Sequence, residues 1–456
     1  MIIRRFVLIL YIIMCSLPCM LPVAAVGQTA AFDAPSRRSA APRVPPKVGD
    51  SWYDLLTDGG MLRRGGCYCQ MANGLSDLMV MNFVDGYSYG PHATLGYIAP
   101  SRNRWEVEET VRWASGRHAW LAKGALRWMS PAESGVTVEV FGGRHTEDFD
   151  HDPTMPTSHS LMATGLFGWN HYKLLERTDA GIRLTMPLCA AMDVTFKGSW
   201  ERRRAMTNHK NRNVFGVKAQ DNVPRLRKGS SASDLVDYAG PIDGELALFS
   251  LQLNYQGDRR LYVYDDMTSW MESDNPLISF QADAGLGQWH YLSLGLSVRQ
   301  TLALPNSDDH LRYIFSGGTI FKHGSIGLAD WHHLDASRFW WQSSEQLSRF
   351  VMLDNYELST DRAWLEGHLE WYSGSHMLST RLIRMPDVIS EYIQLHFVKV
   401  PTHPAHFELQ YGVDLARCWR LGVAVGYDGT SCRGVAFTMS LDLQAGRELK
   451  KKTDTL

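Results

Sequence analysis

Residues 105–113, Trp-Glu-Val-Glu-Glu-Thr-Val-Arg-Trp, begin and end with tryptophan, and residues 120–128, Trp-Leu-Ala-Lys-Gly-Ala-Leu-Arg-Trp, repeat this arrangement. Tryptophans separated by an even number of positions lie on one face of a β-strand, here ~26 Å apart. In a strand tilted by ~40°, as in membrane barrels, the separation projects to ~20 Å, close to the ~25 Å apolar band between aromatic girdles. The two stretches therefore predict membrane-crossing strands.

The same alternation of apolar with small or polar side chains recurs along the chain. It is found in residues 182–188, 192–200, 292–302, 407–415, 419–427 and 435–443. These runs span roughly nine to fifteen residues, longer than the ~5–6 of globular strands and suited to the ~9–11 that cross a bilayer. The expected fold is all-β, a transmembrane antiparallel β-barrel of about sixteen strands. A secreted β-sandwich, which also has one wet face per sheet, is the alternative.

Composition agrees with a barrel. The 456 residues include 11% aromatic and 21% charged side chains, and a barrel can absorb this length in one domain. Mean hydropathy is −0.22, which is too low for a helical membrane protein. Lipid-facing and interior residues cancel in such an average. The net charge of −2 provides no field for nucleic acid, so no nucleic-acid partner is expected.

The chain divides into regions of different composition. Arg4 and Arg5 precede an apolar run at 6–14 and the small-residue site Ala25-Val26-Gly27, which predicts a cleaved signal peptide. Beyond it no run of ~18 apolar residues predicts a spanning helix. The expected regions are a signal peptide at 1–27, a flexible leader at 28–50, a short periplasmic or plug segment at 51–77, the barrel at 78–443 and a polar tail at 444–456. Such a chain belongs in the cell outer membrane, where barrel-assembly machinery would insert it.

Connections between the expected strands differ in length. Long ones cover about 146–178, 205–240 and 335–349, and short ones lie near 115–116 and 188–190. Because outer-membrane barrels have short periplasmic turns and long outer loops, the long connections are expected outside the cell.

Two sets of side chains follow from strand parity. The outward aromatic residues expected at the membrane girdles are Trp105, Trp113, Trp120, Trp128, Trp200, Trp419 and Tyr427. The opposite parity holds ionisable residues, as in a polar barrel interior. They are Glu106, Glu108, Arg112, Lys123, Arg127, Asp193 and Lys197. Alternation occurs in open and in plugged barrels, so both remain open.

A basic stretch follows Trp200. If this stretch is extracellular, its guanidinium groups would meet lipopolysaccharide phosphates, which arginine binds in a bidentate fashion. The expected contacts are Arg202, Arg203, Arg204, Lys210 and Arg212. A plain solvated loop is the alternative.

No constellation with the spacing of a catalytic or metal site is found. Ser158-His159-Ser160 and His332-His333 are interpreted as residues of solvated loops rather than parts of a triad. His145, Asp148, Asp150, His151 and Asp152 crowd one loop but lack the pattern of a calcium loop. No catalytic residue, cofactor or metal is predicted.

Five cysteines follow the signal peptide, and an odd number excludes complete internal pairing. They are Cys67, Cys69, Cys189, Cys418 and Cys432. Unpaired thiols are expected.

Three motifs resemble one known family. They are residues 356–370, Tyr-Glu-Leu-Ser-Thr-Asp-Arg-Ala-Trp-Leu-Glu-Gly-His-Leu-Glu, residues 170–176, Asn-His-Tyr-Lys-Leu-Leu-Glu, and residues 406–413 followed by Arg420-Leu421. They are similar to the Bacteroidetes outer-membrane family of unknown function numbered 5686. Trp371-Tyr372 replaces a second histidine of the family pattern, and Ala416-Arg417-Cys418 replaces Asn-Ile-Phe. The resemblance implies an envelope barrel, here without the carboxypeptidase-regulatory-like domain common in the family, and implies no activity.

The expected function is that of an integral outer-membrane barrel without catalysis, acting in envelope structure or in the passage of small solutes, with lipid and lipopolysaccharide as neighbours. One alternative is a lipid-modifying or hydrolytic barrel enzyme. The other is a surface protein whose long loops bind an envelope partner.

Overall fold

The computed structural model describes residues 60–71, 78–131, 134–150, 163–213, 215–229, 234–264, 267–271, 273–304, 309–342, 347–373, 389–415 and 419–441. Regular structure in these ranges is almost entirely β-strand, with one 3-10 helix at Leu328–Asp330 and a helical turn at 163–167. None of the described helices has the length and apolar character needed to span a membrane. The predicted signal peptide, leader and polar tail lie outside the described residues.

The strands are numbered β1 to β24 in chain order. They are β1 (Gly60–Arg64), β2 (Cys67–Met71), β3 (Met79–Asn82), β4 (Gly86–Tyr89), β5 (His92–Ile98), β6 (Arg104–Ala114), β7 (Ala119–Met129), β8 (Thr137–Asp148), β9 (Leu174–Cys189), β10 (Met192–Ala205), β11 (Arg225–Arg227), β12 (Leu235–Asp237), β13 (Gly244–Tyr255), β14 (Arg260–Tyr264), β15 (Met267–Met271), β16 (Leu277–Gly287), β17 (His290–Ala303), β18 (His310–His323), β19 (Trp341–Gln342), β20 (Ala363–Ser373), β21 (Ile389–Lys399), β22 (His406–Leu415), β23 (Trp419–Asp428) and β24 (Ser431–Leu441).

One sheet contains 20 of these strands. Apart from the short β3, β4 and β19, each strand pairs antiparallel with the next in the order β1-β2-β5-β6-β7-β8-β9-β10-β13-β16-β17-β18-β20-β21-β22-β23-β24. The ladder from β2 to β24 therefore has the expected sixteen strands, and β1 adds one short strand. The all-β antiparallel prediction is confirmed. Within the described residues, no ladder joins β24 to β1 or β2.

The sheet is nevertheless rolled. The Tyr356 hydroxyl donates a hydrogen bond to Asp148 at the end of β8, and the next residue, Glu357, accepts one from Arg433 of β24. Neighbouring Cα atoms are ~3.8 Å apart, whereas β8 and β24 are separated by ~50 Å along the sheet at ~4.8 Å per strand. Strands so distant in the ladder can meet consecutive residues only if the sheet curves around them.

Burial is inverted relative to a water-soluble protein. Val435 is 69% exposed, Trp120 62% and Phe437 55%, and all three lie on the outer face. The carboxylates of Glu201 and Glu370, on the inner face, are fully buried. Alternation along each strand thus separates an apolar outer surface from a charged interior.

The tryptophans of the opening motif lie in pairs at the two ends of one hairpin. Trp105 pairs with Trp128 at one end of the β6–β7 hairpin, and Trp113 pairs with Trp120 at the other. The Trp113 and Trp120 ring centroids are 5.3 Å apart in an edge-to-face arrangement. Trp200, Trp419 and Tyr427 are also exposed on the outer face.

The strand region begins earlier than the predicted residue 78. β1 and β2 fall within the predicted plug segment, and β2 extends the wall through its ladder with β5. These strands are only five residues long and flank the Gly65-Gly66 turn, so their alternation is too brief to be recognised.

The distribution of short and long connections between the two ends of the sheet also differs from expectation. The connections 149–173, 206–243 and 324–362 leave the same end, as expected for long outer loops. The short turn after Ala114 lies at that end as well, because Arg117 in the turn donates to Thr146 near the end of β8 at 3.1 Å. Turn length therefore does not assign every connection to a side.

Candidate functional site: a segment inserted into the barrel interior

The connection from β18 to β20, described at residues 324–342 and 347–362, folds inward; we name it the inserted segment. The predicted outer loop at 335–349 is therefore wrong as a solvated connection. Its apolar side chains form a buried cluster with two wall residues. The members are Leu334, Ala336, Phe350, Leu353, Leu358, Val398 and Val400. Burial of this cluster contributes apolar stabilisation to docking of the segment.

Asp330 fixes the start of the segment. Its carboxylate accepts hydrogen bonds from Trp289 Nε1 at 2.6 Å and from the Tyr291 hydroxyl at 2.7 Å. It also forms a 2.8 Å ion pair with Arg203 of β10. Arg203 is in turn bound to Glu201 of the same strand at 3.1 Å. The 3-10 helix is thus joined to strands on both sides of β13.

Glu408 of β22 holds the middle of the segment. Its two oxygens accept the backbone N–H groups of Val351 at 2.8 Å and Met352 at 2.9 Å. His406 bridges the Glu408 and Asp428 carboxylates through its two ring nitrogens, at 2.9 and 2.7 Å. All of these groups are buried, so the segment backbone replaces water as the partner of the wall carboxylate.

Tyr356 and Glu357 fix the end of the segment. The backbone of Tyr356 has φ 67°, a conformation that costs ~1–3 kcal/mol for a residue other than glycine. The hydrogen bond from its hydroxyl to Asp148 accompanies this strained conformation. Strain of this kind persists only where surrounding contacts impose it.

Glu357 lies between two arginines. It accepts hydrogen bonds from Arg227 Nε at 2.8 Å and Arg433 Nη2 at 2.6 Å. Arg227 also forms a 3.1 Å ion pair with Asp428. Burial acts to raise the pKa of Glu357, but the hydrogen bond from Arg433 and the two positive charges lower it overall. The carboxylate is therefore held ionised.

His332 and His333 are structural rather than solvated. Backbone hydrogen bonds of 2.9 and 3.0 Å join His332 and Thr360, and the His332 ring stacks on Trp364 with centroids 4.0 Å apart. His333 bonds to the Ser359 hydroxyl at 2.8 Å and the Leu328 carbonyl at 3.0 Å. Burial lowers the pKa of His333 to about 4. The expectation of solvated loop histidines is wrong for His332 and His333, because this part of the connection packs against the wall.

The wall around the segment is lined with ion pairs. Arg127 bonds to Glu106 and to Glu139, each at 2.9 Å, and pairs with Glu108 at 3.4 Å. The Asp193 carboxylate accepts a hydrogen bond from the Arg259 guanidinium at 2.6 Å. Asp193 belongs to the strand positions for which a polar interior was predicted. The described part of the inserted segment and these pairs thus place mutually bonded groups on the inner face of the sheet. Such an arrangement can obstruct passage through the barrel.

The arginines of the basic stretch lie on both faces of the sheet. Arg202 and Arg204 are exposed beside Trp200 on the outer face, but Arg203 is buried and ion-paired to Asp330. The predicted lipopolysaccharide contact of Arg203 is therefore wrong. The alternation of β10 contains the signal that was missed. Because Trp200 faces outward, Arg203, three positions later on the same strand, faces inward. Of the other two candidates, Lys210 lies 5.6 Å from the Tyr87 ring centroid, and Arg212 is exposed.

Only some of the residues considered above as catalytic or metal-binding candidates lie in the described ranges. Ser158, His159, Ser160, His151 and Asp152 lie outside the described residues. Asp148 is buried rather than solvated, because it accepts the Tyr356 hydroxyl and the Lys173 N–H. Across the described ranges, no three His, Cys, Asp or Glu side chains are arranged to hold a metal ion. The described cysteines have free thiols; they are Cys67, Cys69, Cys189 and Cys432.

Residues 68–413, most of the sheet and all of the inserted segment, match the C-terminal domain of a family of unknown function, DUF5686. The chain belongs to the DUF5686 family. This confirms the resemblance inferred from the three sequence motifs. No curated protein matches the sequence.

Solved structures similar to this DUF5686 member are distant. BamA from Haemophilus ducreyi lacking POTRA domains 1–3 has 8% identity and a TM-score of 0.40, over 79% of this chain and 68% of that one. CdiB from Acinetobacter baumannii has 8% identity and a TM-score of 0.36, over 77% of this chain but only 56% of that one. OccK10 from Pseudomonas aeruginosa has 9% identity and a TM-score of 0.26, over 77% and 90%. All three TM-scores are below 0.5.

Proposed function

We propose that this protein is an integral outer-membrane β-barrel without catalytic activity, closed at rest by the inserted segment and opened for assisted passage of small solutes. One observation carries the proposal: the outer face is apolar and exposed while the inner face is charged and buried. In water an apolar surface spanning many strands would drive association, whereas in a bilayer it is the favourable surface.

The inserted segment argues against a permanently open pore. Wall groups such as Arg203, Glu408 and Arg433 bind the segment rather than water or solute. Passage therefore requires displacement of the segment. If displacement never occurs, the barrel has the envelope-structural role alone.

Lipid exposure is tested at Val435, midway along β24. Val435→Arg should cost ~2–4 kcal/mol of folding free energy in lipid, the range for arginine at a bilayer midplane. The measurement is denaturant unfolding of the protein reconstituted in phospholipid vesicles. In a water-soluble protein, a substitution at so exposed a site changes stability by only ~0.5 kcal/mol or less.

The matched control is Val236→Arg in β12, another exposed valine but one in the long connection from β10 to β13. It should leave the unfolding midpoint unchanged. Equal, small effects of the two variants would contradict a membrane-embedded outer face.

We propose lipopolysaccharide phosphates as partners of the outer-face arginines. Arg202 and Arg204 follow the exposed Trp200 by two and four residues on the same face, ~7 and ~13 Å beyond it. A tryptophan at the edge of the apolar band places these guanidinium groups at head-group level. Arg202 also pairs with Glu245 at 3.2 Å, but its side chain remains exposed.

Charge reversal tests this contact. The double variant Arg202→Glu and Arg204→Glu should bind lipopolysaccharide at least about tenfold more weakly, because each guanidinium bond to a phosphate contributes ~1.5–3 kcal/mol. Lipopolysaccharide retained per barrel after detergent extraction measures the effect. Reversal of Arg64 and Arg102, exposed near the opposite end, is the control and should retain it. Equal loss in both variants would refute a specific contact.

A second candidate function, binding of a partner at the surface, is favoured by the order of the long connections. Asn222 donates to the carbonyls of Leu174 at 2.7 Å and Met206 at 2.8 Å, and Lys173 donates to the Asp221 carbonyl at 2.6 Å. Burial lowers the pKa of Lys173 to about 8. A preordered surface lowers the entropic cost of binding. Proteolytic removal of residues 206–243 should abolish partner capture if this function is correct.

A further inference from the structure

One end of the β24 edge is covered by the inserted segment. Trp341 and Gln342 form β19, which pairs in parallel with Met439 and Ser440, and the Trp340 carbonyl accepts the Met439 N–H at 2.7 Å. Met439 is opposite Leu421 and so lies on the outer face. Residues paired in a ladder share a face, so Trp341 also faces outward. The inserted segment thus reaches from the interior to the surface that faces lipid.

A contiguous row of aromatic rings begins at this point; we name it the aromatic strip. Ring centroids are 6.4 Å apart for Trp419 and Trp341, 5.7 Å for Trp341 and Trp340, and 6.1 Å for Trp340 and Phe167. From Phe167 the row continues to Phe339 at 5.6 Å, and Trp169 lies 5.9 Å from Phe339. Its members come from β23, the inserted segment and the connection from β8 to β9.

The strip is incompletely covered by protein. Phe167 is 46% exposed and Trp340 is 39% exposed, although Phe339 beside them is buried. Neither ring belongs to the strands whose alternation places aromatic residues on the outer face. Exposed rings adjoining an interior otherwise lined by ion pairs leave an apolar surface that water solvates poorly.

We propose that the aromatic strip binds one acyl chain of an outer-membrane lipid, taken up laterally at the edge of β24. The inference rests on the proposed membrane location. The strip is continuous with Trp419 on the lipid-facing surface, so a chain can pass from bulk lipid onto Trp341, Trp340 and Phe167 without crossing the charged interior. Methylene groups packed on ring faces provide the contact. Binding of the chain and docking of the inserted segment therefore support each other.

Photolabelling tests the site. Full-length protein is reconstituted in phosphatidylethanolamine vesicles containing a small fraction of phosphatidylethanolamine with a diazirine on one acyl chain, and adducts are mapped by peptide mass spectrometry. Adducts on Trp340 and Phe167 should saturate and fall at least fivefold with excess palmitic acid. Adducts on Trp120, an exposed ring on β7, should increase linearly with probe and resist competition.

A variant separates a site from bulk lipid contact. Phe167→Ala with Trp340→Ala should lower adducts on Trp341 at least fivefold and leave those on Trp120 unchanged, with heat-modifiable migration reporting that the barrel is folded. Linear, uncompeted labelling of the strip in the unaltered protein would overturn the inference, whether or not the variant folds. Absence of label from Trp120 itself would instead refute the membrane location.

Discussion

Replacing residues 328–358 with a short glycine-serine linker is expected to raise conductance in planar bilayers at least about tenfold, toward that of an open barrel of sixteen strands, which encloses an aqueous channel. The reason is that this stretch contains Asp330, Val351, Met352 and Glu357, which hold the inserted segment to the wall. Without them, the inner charges would be solvated by water and ions. The unaltered protein should conduct near background, with rare openings.

The matched control is a deletion at the opposite end of the sheet. Removing the β14–β15 hairpin, residues 260–271, shortens another connection but leaves the inserted segment in place. That variant should conduct as little as the unaltered protein. Both deletion variants must retain heat-modifiable migration, which reports a folded barrel, before their conductances are compared. A high conductance already present in the unaltered protein would show that the segment does not obstruct the barrel.

Glu357→Ala is expected to destabilise the protein by ~3–5 kcal/mol, because it leaves the buried guanidinium groups of Arg227 and Arg433 without their shared carboxylate. The same change releases the end of the inserted segment from β24. The measurement is the urea midpoint of the folded protein in detergent micelles, with conductance recorded in parallel. Both stability and closure should be lost together.

An exposed ion pair in the same segment provides the comparison. Arg338 lies 3.6 Å from Asp354 and its side chain is about half exposed. Arg338→Ala should therefore cost no more than ~1 kcal/mol. Glu357→Gln keeps the shape and one oxygen acceptor and should fall between the two. If Glu357→Ala behaves like Arg338→Ala, the buried pair does not hold the segment.

Strand alternation allowed most of the wall to be predicted from sequence. The paired tryptophans of β6 and β7 and the acids and bases opposite them lie where a period of two places them. The same rule, extended beyond Trp200, also places Arg203 inside. The prediction failed there because the arginines were treated as one loop rather than as a continuing strand.

The inserted segment could not be predicted in this way. Residues 332–341 show no strand or helix period. The contacts that hold the segment on either side of them join residues distant in sequence, such as Asp330 with Arg203 and Val351 with Glu408. The length of this connection alone favoured an outer loop, since long connections of outer-membrane barrels lie outside the cell. Burial of these residues follows from long-range ion pairs, which a local pattern does not contain.

The partners of Tyr356 and Glu357 have a consequence for biogenesis. Asp148 is synthesised early and Arg433 near the end of the chain. The neighbouring residues Tyr356 and Glu357 bind one of these partners each. Contacts so far apart in sequence form late in folding. On the proposed function, a barrel whose last strand has not yet been added would be leaky as well as unstable, and sealing of the channel and completion of the wall would be a single event.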